Sequence, residues 1–180
     1  ELGAEVIGVG LEPHSEKDNY VLSGIGEKIK ADIRADIRDG KIMKDIFREY
    51  QPDMVFHLAA QPLVRLSYEI PVETYETNVM GSINIMEAAR VTESVKVIVM
   101  ITTDKCYENK EQMWGYRENE PLDGYDPYSN SKSCSELVTH SYKSSFLDGK
   151  VAVSTARAGN VIGGGDFAND RIIPDCIRAA

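Results

Sequence analysis

The run Val97-Ile98-Val99-Met100-Ile101-Thr102 is apolar and largely β-branched, with no polar alternation. Such a run fits a strand covered on both faces, which is the situation inside a parallel sheet. The stretches on either side have a different period. Ahead of it, roughly Val72 to Thr92 repeats Val79, Ile83, Met86 and Ala89 at helical spacing. Beyond it, past a long loop with Gly115, Pro121, Gly124 and Pro127, Tyr128 to Phe146 reads as a second helix. Further strands are expected at Glu5–Val9, Ile29–Ile33, Met54–Leu58 and Lys150–Ala156, and a last helix from Arg171 to Ala180. Between them, Asp39 is a plausible N-cap for a helix over Gly40–Tyr50, where Ile42, Met43, Ile46, Phe47 and Tyr50 share one face. The order β, β, α, β, α, β, α, β, α predicts βαβ crossovers. The fold class is therefore α/β, a doubly wound parallel sheet of Rossmann-like type. In such sheets ligands bind outside the carboxyl ends of the strands.

Composition narrows the function. Against 29 Asp+Glu stand 20 Lys+Arg, a net charge of −9, so the chain lacks the basic face that nucleic acid requires. No apolar stretch is long enough to span a membrane, and no charged start leads into an apolar stretch as in a signal peptide. Cys106, Cys134 and Cys176 cannot all pair and lack metal-ligand spacing, so no metal is expected and the compartment reads as reducing and cytoplasmic. Glu1-Leu2-Gly3-Ala4 resembles the tail of a helix entering a strand. The expectation is an internal piece of a longer protein, without its first βα unit and most of a carboxyl-terminal substrate domain.

Chemistry concentrates at one strand end. Thr103-Asp104-Lys105 follows directly on the central run, and Tyr128 and Lys132 lie four apart, on one face of a helix. A phenol with its usual pKa near 10 is a poor base at neutral pH, and a neighbouring ammonium favours its phenolate. Each element alone has a plain structural explanation: a solvated helix face for Tyr128 and Lys132, a polar strand exit for Asp104 and Lys105. Together they offer a hydroxyl, a carboxyl, an amine and an activated phenol, enough for hydride transfer coupled to loss of water.

Longer blocks carry a resemblance: Phe56-His57-Leu58-Ala59-Ala60-Gln61-Pro62, Thr77-Asn78-Val79-Met80-Gly81, Thr102-Thr103-Asp104-Lys105-Cys106-Tyr107, Trp114-Gly115-Tyr116-Arg117-Glu118, Gly124-Tyr125-Asp126-Pro127-Tyr128 and Arg157-Ala158-Gly159-Asn160-Val161-Ile162-Gly163-Gly164-Gly165-Asp166. Along essentially its whole length the chain resembles the extended short-chain dehydrogenase/reductase family, in its sugar-nucleotide 4,6-dehydratase branch. The resemblance implies NAD as cofactor and a nucleotide sugar as substrate, with no net redox change. It implies Tyr128, helped by Lys132, as base toward the sugar 4-hydroxyl, Thr103 as donor to the 4-oxygen, and Asp104 as acid for the departing 6-hydroxyl. Lys105 stands where related dehydratases carry glutamate, and it serves as C5 base only if neutral or acting through water. Burial and the like charge of Lys132 would favour the neutral amine.

For the cofactor the resemblance implies Asp36 and Ile37 at the adenine end, Leu58, Ala59 and Ala60 at a strand exit facing ribose and phosphates, and Thr77 nearby. Asn160, the run Gly163 to Asp166, and Arg171 are implied on the substrate side. The whole chain then reads as a partial NAD(P)-binding domain, with a sugar-nucleotide segment starting at about residues 158–180. Gly10 stands where an acidic residue usually selects NAD over NADP, with Glu12 two residues on. His57, in an apolar strand, reads as a satisfied core histidine, and Trp114 and Tyr116 as pocket wall or as loop anchors. The two long helices are those that the family pairs in a homodimer. A 4-epimerase, or a dehydratase for another nucleotide sugar, is the alternative within the family; a nucleotide-binding module without catalysis is the alternative outside it.

Overall fold

The computed structural model describes residues 3–161, 163, 165 and 170–180, which form two compact units: Glu1–Asp36 with Val161–Ala180, and Ile37–Asn160. Ile162, Gly164 and Asp166 of the glycine-rich run lie outside the described residues.

In the first unit β1 (Ile7–Gly10) pairs in parallel with β2 (Ala31–Arg34), from Ile7 against Ala31 to Gly10 against Arg34. Parallel neighbours need a crossover, and here it carries a short helix α1 (Asn19–Ser23) and a 3₁₀ turn (Ile25–Lys28). The sequence suggested two strands with no helix between them. The helix escapes a periodicity reading because it buries no residue. It ends at Gly24, whose φ of 59° is a left-handed cap and whose N–H reaches Val21 O. Arg34 and the Tyr20 hydroxyl converge on the Asp32 carboxylate, and the Arg34 guanidinium lies 4.6 Å over the Tyr20 ring.

The second unit is built on the parallel order β3–β4–β5, with β3 at Met54–His57, β4 at Val97–Thr103 and β5 at Ala152–Ala158. Register runs from Met54 against Val97 and Val97 against Ala152 up to Thr103 against Ala158. Along β4 the predicted cover on both faces is uneven. Ile98, Met100, Thr102 and Thr103 are buried, whereas Val97, Val99 and Ile101 are half-buried. α2 (Gly40–Tyr50) has the predicted ends, because the Asp39 carboxylate accepts from the N–H groups of Lys41 and Ile42. Met43 and Phe47 bury its apolar face.

α3 (Val64–Glu69) is a single short helix that the sequence did not announce. The stretch expected as one helix from Val72 is α4 (Pro71–Tyr75), a π-helical turn (Glu76–Met80) and α5 (Gly81–Arg90). Glu76 and Gly81 at the joins keep right-handed helical dihedrals, so the helix runs through. Gly81 is needed there: a Cβ would fall 2.5 Å from Ile37 Cδ1. α6 (Pro127–Tyr142) starts on Asp126, whose carboxylate accepts from Ser129 N, and passes into a second π-helical turn (Lys143–Leu147). Its buried face is polar: Ser129, Ser131, Lys132, Ser133, Ser135, Glu136 and Thr139. α7 (Ile172–Ala179), begun by Arg171, belongs to the first unit.

Candidate active site

The site grows from the end of β4. The strand ends at Thr103, whose hydroxyl caps a 3₁₀ turn (Asp104–Cys106) by accepting from Lys105 N at 3.4 Å. The same hydroxyl donates to Asp104 Oδ1 at 3.1 Å, so Thr103 is buried with its oxygen directed at the carboxylate. Pairing of Thr103 with Ala158 brings the next residue of that strand alongside: a Cβ on Gly159 would lie 3.4 Å from Asp104 Oδ2. Asn160 follows, exposed, at the same strand end.

α6 supplies the other half. Pro127 in its first turn pre-sets the helical φ, and Tyr128 comes next, half-buried. One turn on, Lys132 is buried and its ammonium donates to Ile101 O in β4 at 3.2 Å. Burial lowers the Lys132 pKa to about 8. The amine is thereby fixed two residues before Thr103 along the strand, on the helix face that also carries Tyr128. Thr103, Asp104, Tyr128, Lys132 and Asn160 thus belong to one unit and to the adjoining ends of β4, β5 and α6.

Lys105 departs from expectation. Its side chain is 45% exposed and its ammonium lies 3.5 Å from Asp104 Oδ1. The burial expected of it is not there, and the amine is paired with its sequence neighbour.

At the β3 exit Leu58 is exposed, and Ala59 and Ala60 are half-buried and end at Cβ. The backbone just beyond is pinned by Asn78 in the π-helical turn: its Oδ1 accepts from Gln61 N at 2.8 Å and its Nδ2 donates to Gln61 O at 3.0 Å and Ser131 Oγ at 2.9 Å. Thr77 precedes Asn78 in that turn and is half-buried. Ile37 is buried against Gly81, so its side chain is spoken for by packing. Asp36 and Arg171 lie in the other unit. His57 is the satisfied core histidine expected, with Nε2 3.3 Å from Ser82 Oγ; burial, and then the charge of Lys132, lower its pKa to about 4.

A second polar group was missed by sequence reasoning. Glu136, buried, accepts from Arg157 and Thr155 at 3.0 Å and from Thr102 Oγ1. Burial raises its pKa, but the bonds from Arg157, Thr102 and Thr155 outweigh it and hold the carboxyl below its ordinary value. Part of the signal was present in the spacing: Glu136 stands four residues after Lys132, on the same helix face, whereas Arg157 fell one residue beyond the expected strand and the structure places it inside β5. Arg157 also lies 4.9 Å over the Tyr107 ring. Among the described residues no buried side-chain polar atom lacks a hydrogen bond, and no group of three His, Cys, Asp or Glu could hold a metal ion.

Residues 14–176 match the family model described as GDP-mannose 4,6 dehydratase. A CDP-glucose 4,6-dehydratase of Salmonella typhimurium is 48% identical over 99% of this chain and 51% of its own length. A CDP-paratose 2-epimerase of Salmonella typhi is 30% identical over 76% of this chain and 44% of its own length. A dTDP-glucose 4,6-dehydratase of Streptomyces venezuelae, solved with NAD bound, superposes with a TM-score of 0.82 over 97% of this chain and 52% of that one, at 24% identity. The chain spans about half the length of the curated relatives it matches. Among the described residues no helix is long and apolar enough to cross a membrane.

Proposed function

Because the chain belongs to the GDP-mannose 4,6-dehydratase family of extended short-chain dehydrogenases/reductases, we propose that the whole protein is a 4,6-dehydratase acting on CDP-glucose. The observation that carries the reaction type is the Thr103–Asp104 pair at the β4 exit, joined through Ile101 O to a buried Lys132. An epimerase needs no acid to expel a 6-hydroxyl, so the carboxyl that Thr103 addresses favours dehydration. The nucleotide rests on the relative at 48% identity.

The residues fit NAD. Ala59 and Ala60 end at Cβ at the β3 exit, ahead of backbone that Asn78 holds through Gln61, and the Lys132 ammonium is held at Ile101 O in the neighbouring strand β4. What NAD supplies when bound is a hydride acceptor for C4 and, later, a donor to C6. Tyr128 takes the proton of the 4-hydroxyl, its phenolate favoured by the Lys132 ammonium. Thr103 hydrogen-bonds the 4-oxygen as it becomes a ketone. The ketone acidifies C5–H, and that proton leaves to water held there by Lys105, beside Asp104. Asp104 protonates the 6-hydroxyl, which departs as water, and C5 regains a proton when C6 is reduced. The product is CDP-4-keto-6-deoxyglucose, with NAD regenerated.

The same reading assigns residues 1–180 to a partial cofactor-binding domain in which the sugar-nucleotide segment starts at about 158–180. Asp36, Ile37 and Leu58 serve the adenosine side; Asn160 and Arg171 serve the substrate. It makes the protein a cytoplasmic homodimer supplying deoxysugar for lipopolysaccharide O-antigen. The exposed Val72 and Leu137 on α4 and α6 support the dimer.

Incubating the full-length protein with NAD and either CDP-glucose or dTDP-glucose tests the reading through the alkaline absorbance of the 4-keto-6-deoxy product. Turnover of CDP-glucose alone is expected. Turnover of dTDP-glucose alone would reassign the nucleotide, and no product from either, with NAD bound, would point to an epimerase or a binding module.

A further inference from the structure

Between the catalytic turn and α6, residues 107–122 form a flap that is closed on itself. Tyr107 bridges Leu122, and Glu108 N donates to Pro121 O at 2.9 Å. The rings of Tyr107 and Tyr116 stack at 5.2 Å; the Tyr116 hydroxyl accepts from Lys110 N at 2.8 Å. The Glu120 carboxylate accepts from Gln112 Nε2 at 3.3 Å and from Arg117 N at 3.2 Å. Such a loop, packed by its own side chains, is held in place by whatever holds its ends and its body.

Two side chains do so. Ser133, the residue after Lys132, accepts from Gly124 N at 3.0 Å and donates to Cys106 O at 2.8 Å, tying both ends of the flap to α6. Gly124 has to be glycine, since a Cβ would meet the Ser129 backbone at 2.3 Å. Arg157 ties the body: it donates to the Tyr107 hydroxyl at 2.9 Å and to Glu118 O at 2.8 Å, while Glu136 holds its other nitrogen. Both anchors share elements with the catalytic residues, for Glu136 and Ser133 lie on the helix of Tyr128 and Lys132. Arg157 stands in register opposite Thr102, one residue below Thr103. At the far end the flap leaves Met113 and Trp114 exposed, 98% and 68%.

We infer that Arg157 and Ser133 are positioning residues that fix the 107–122 flap as a rigid wall beside the Thr103–Asp104 turn, with Met113 and Trp114 presented to the bound nucleotide sugar. The inference rests on the proposed reaction for its substrate but not for the anchoring, which is a property of the free protein. The wall contributes equally to substrate and transition state, so its loss acts on KM, not on kcat.

The test uses the full-length protein and its Arg157→Met variant. Amide exchange, read by mass spectrometry without substrate, is expected to quicken roughly tenfold in 107–122 while α2 and β4 keep their protection. With CDP-glucose, KM is expected to rise roughly tenfold at nearly constant kcat. Unchanged exchange in 107–122, or faster exchange throughout residues 37–160 with kcat falling in step, overturns the inference. Where Arg157→Met does not fold, Tyr107→Phe, which deletes a single hydroxyl, decides the same question: no gain in exchange in 107–122 overturns the anchor. If the parent leaves CDP-glucose untouched, the reaction fails and the exchange measurement alone decides the flap.

Discussion

Helices α2 and α6 both pack on their unit by one face, yet the faces are opposite in kind. α2 buries Met43 and Phe47, and its energetics are those of apolar area removed from water. α6 buries four serines, a threonine, a lysine and a glutamate. Its hydroxyls each find an acceptor: Ser129 the Asp126 carboxylate, and Ser131, Ser133, Ser135 and Thr139 the backbone carbonyls of Tyr128, Cys106, Asn78 and Ser135. A hydrogen bond to a known acceptor sets direction and distance, which an apolar contact does not. The first helix secures stability, and the second secures the placement of Tyr128 and Lys132 against β4.

Substitutions on the two helices put this division to the test. The largest effect expected is on chemistry: Tyr128→Phe lowers kcat about 10³-fold with thermal unfolding unchanged, since a positioned acid–base group contributes in that range. A matching loss of stability would show that α6 depends on that side chain for packing. On α2, Met43→Ala is expected to cost about 3 kcal/mol in urea unfolding and to leave KM unchanged. Lys132→Met divides the two roles within one residue. Below pH 8 the native state holds a buried ammonium that the unfolded chain holds in water, a cost of roughly 3 kcal/mol from its lowered pKa. Between pH 8 and 10.5 the unfolded chain binds a proton that the native one has released, so stability rises with pH. Lys132→Met should therefore flatten that rise and stabilise the fold at pH 7 while abolishing turnover, as urea titrations at both pH values would show. His57 runs at the other end of the scale. Its lowered pKa makes stability fall as pH drops from 6.5 towards 4, by roughly 3 kcal/mol in all, and His57→Gln should remove that slope. Smallest of all, Asp39→Ala at the start of α2 is expected to cost about 1 kcal/mol.

The same contrast explains what could be read from sequence. α2 was legible to the residue because a capping carboxylate and an apolar period agree on its limits. β4 was legible as a strand, though not the half-exposure of Val97, Val99 and Ile101. The Tyr128–Lys132 spacing and the Thr103–Asp104 turn were legible as types of chemistry. The partners that aim them were not: Asn78 reaches Gln61 and Ser131 across 17 and 53 residues of sequence, and Arg157 reaches Glu118 across 39. No local pattern encodes a hydrogen bond over that separation. The exposure of Lys105 was not legible for the related reason that it is decided by elements remote in sequence. α1 and α3 were missed because five or six residues are too few to show a period.

The π-helical turn at Glu76–Met80 also bears on how this region tolerates insertion and deletion. A π turn accommodates one residue more than the α-helix around it, so loss of a single codon there would restore an uninterrupted α-helix. The flanking segments α4 and α5 would keep their relative phase, because the turn takes up the extra residue locally. Gly81 would stay against Ile37, and the change would fall on the turn itself, which carries the asparagine that grips Gln61. Alignments that open a one-residue gap within 76–80 therefore mark loss of the turn with the helix phase kept, and a library of single-codon deletions across 71–90 should find its mildest losses at that turn wherever Asn78 is retained, and sharper ones in α4 and α5.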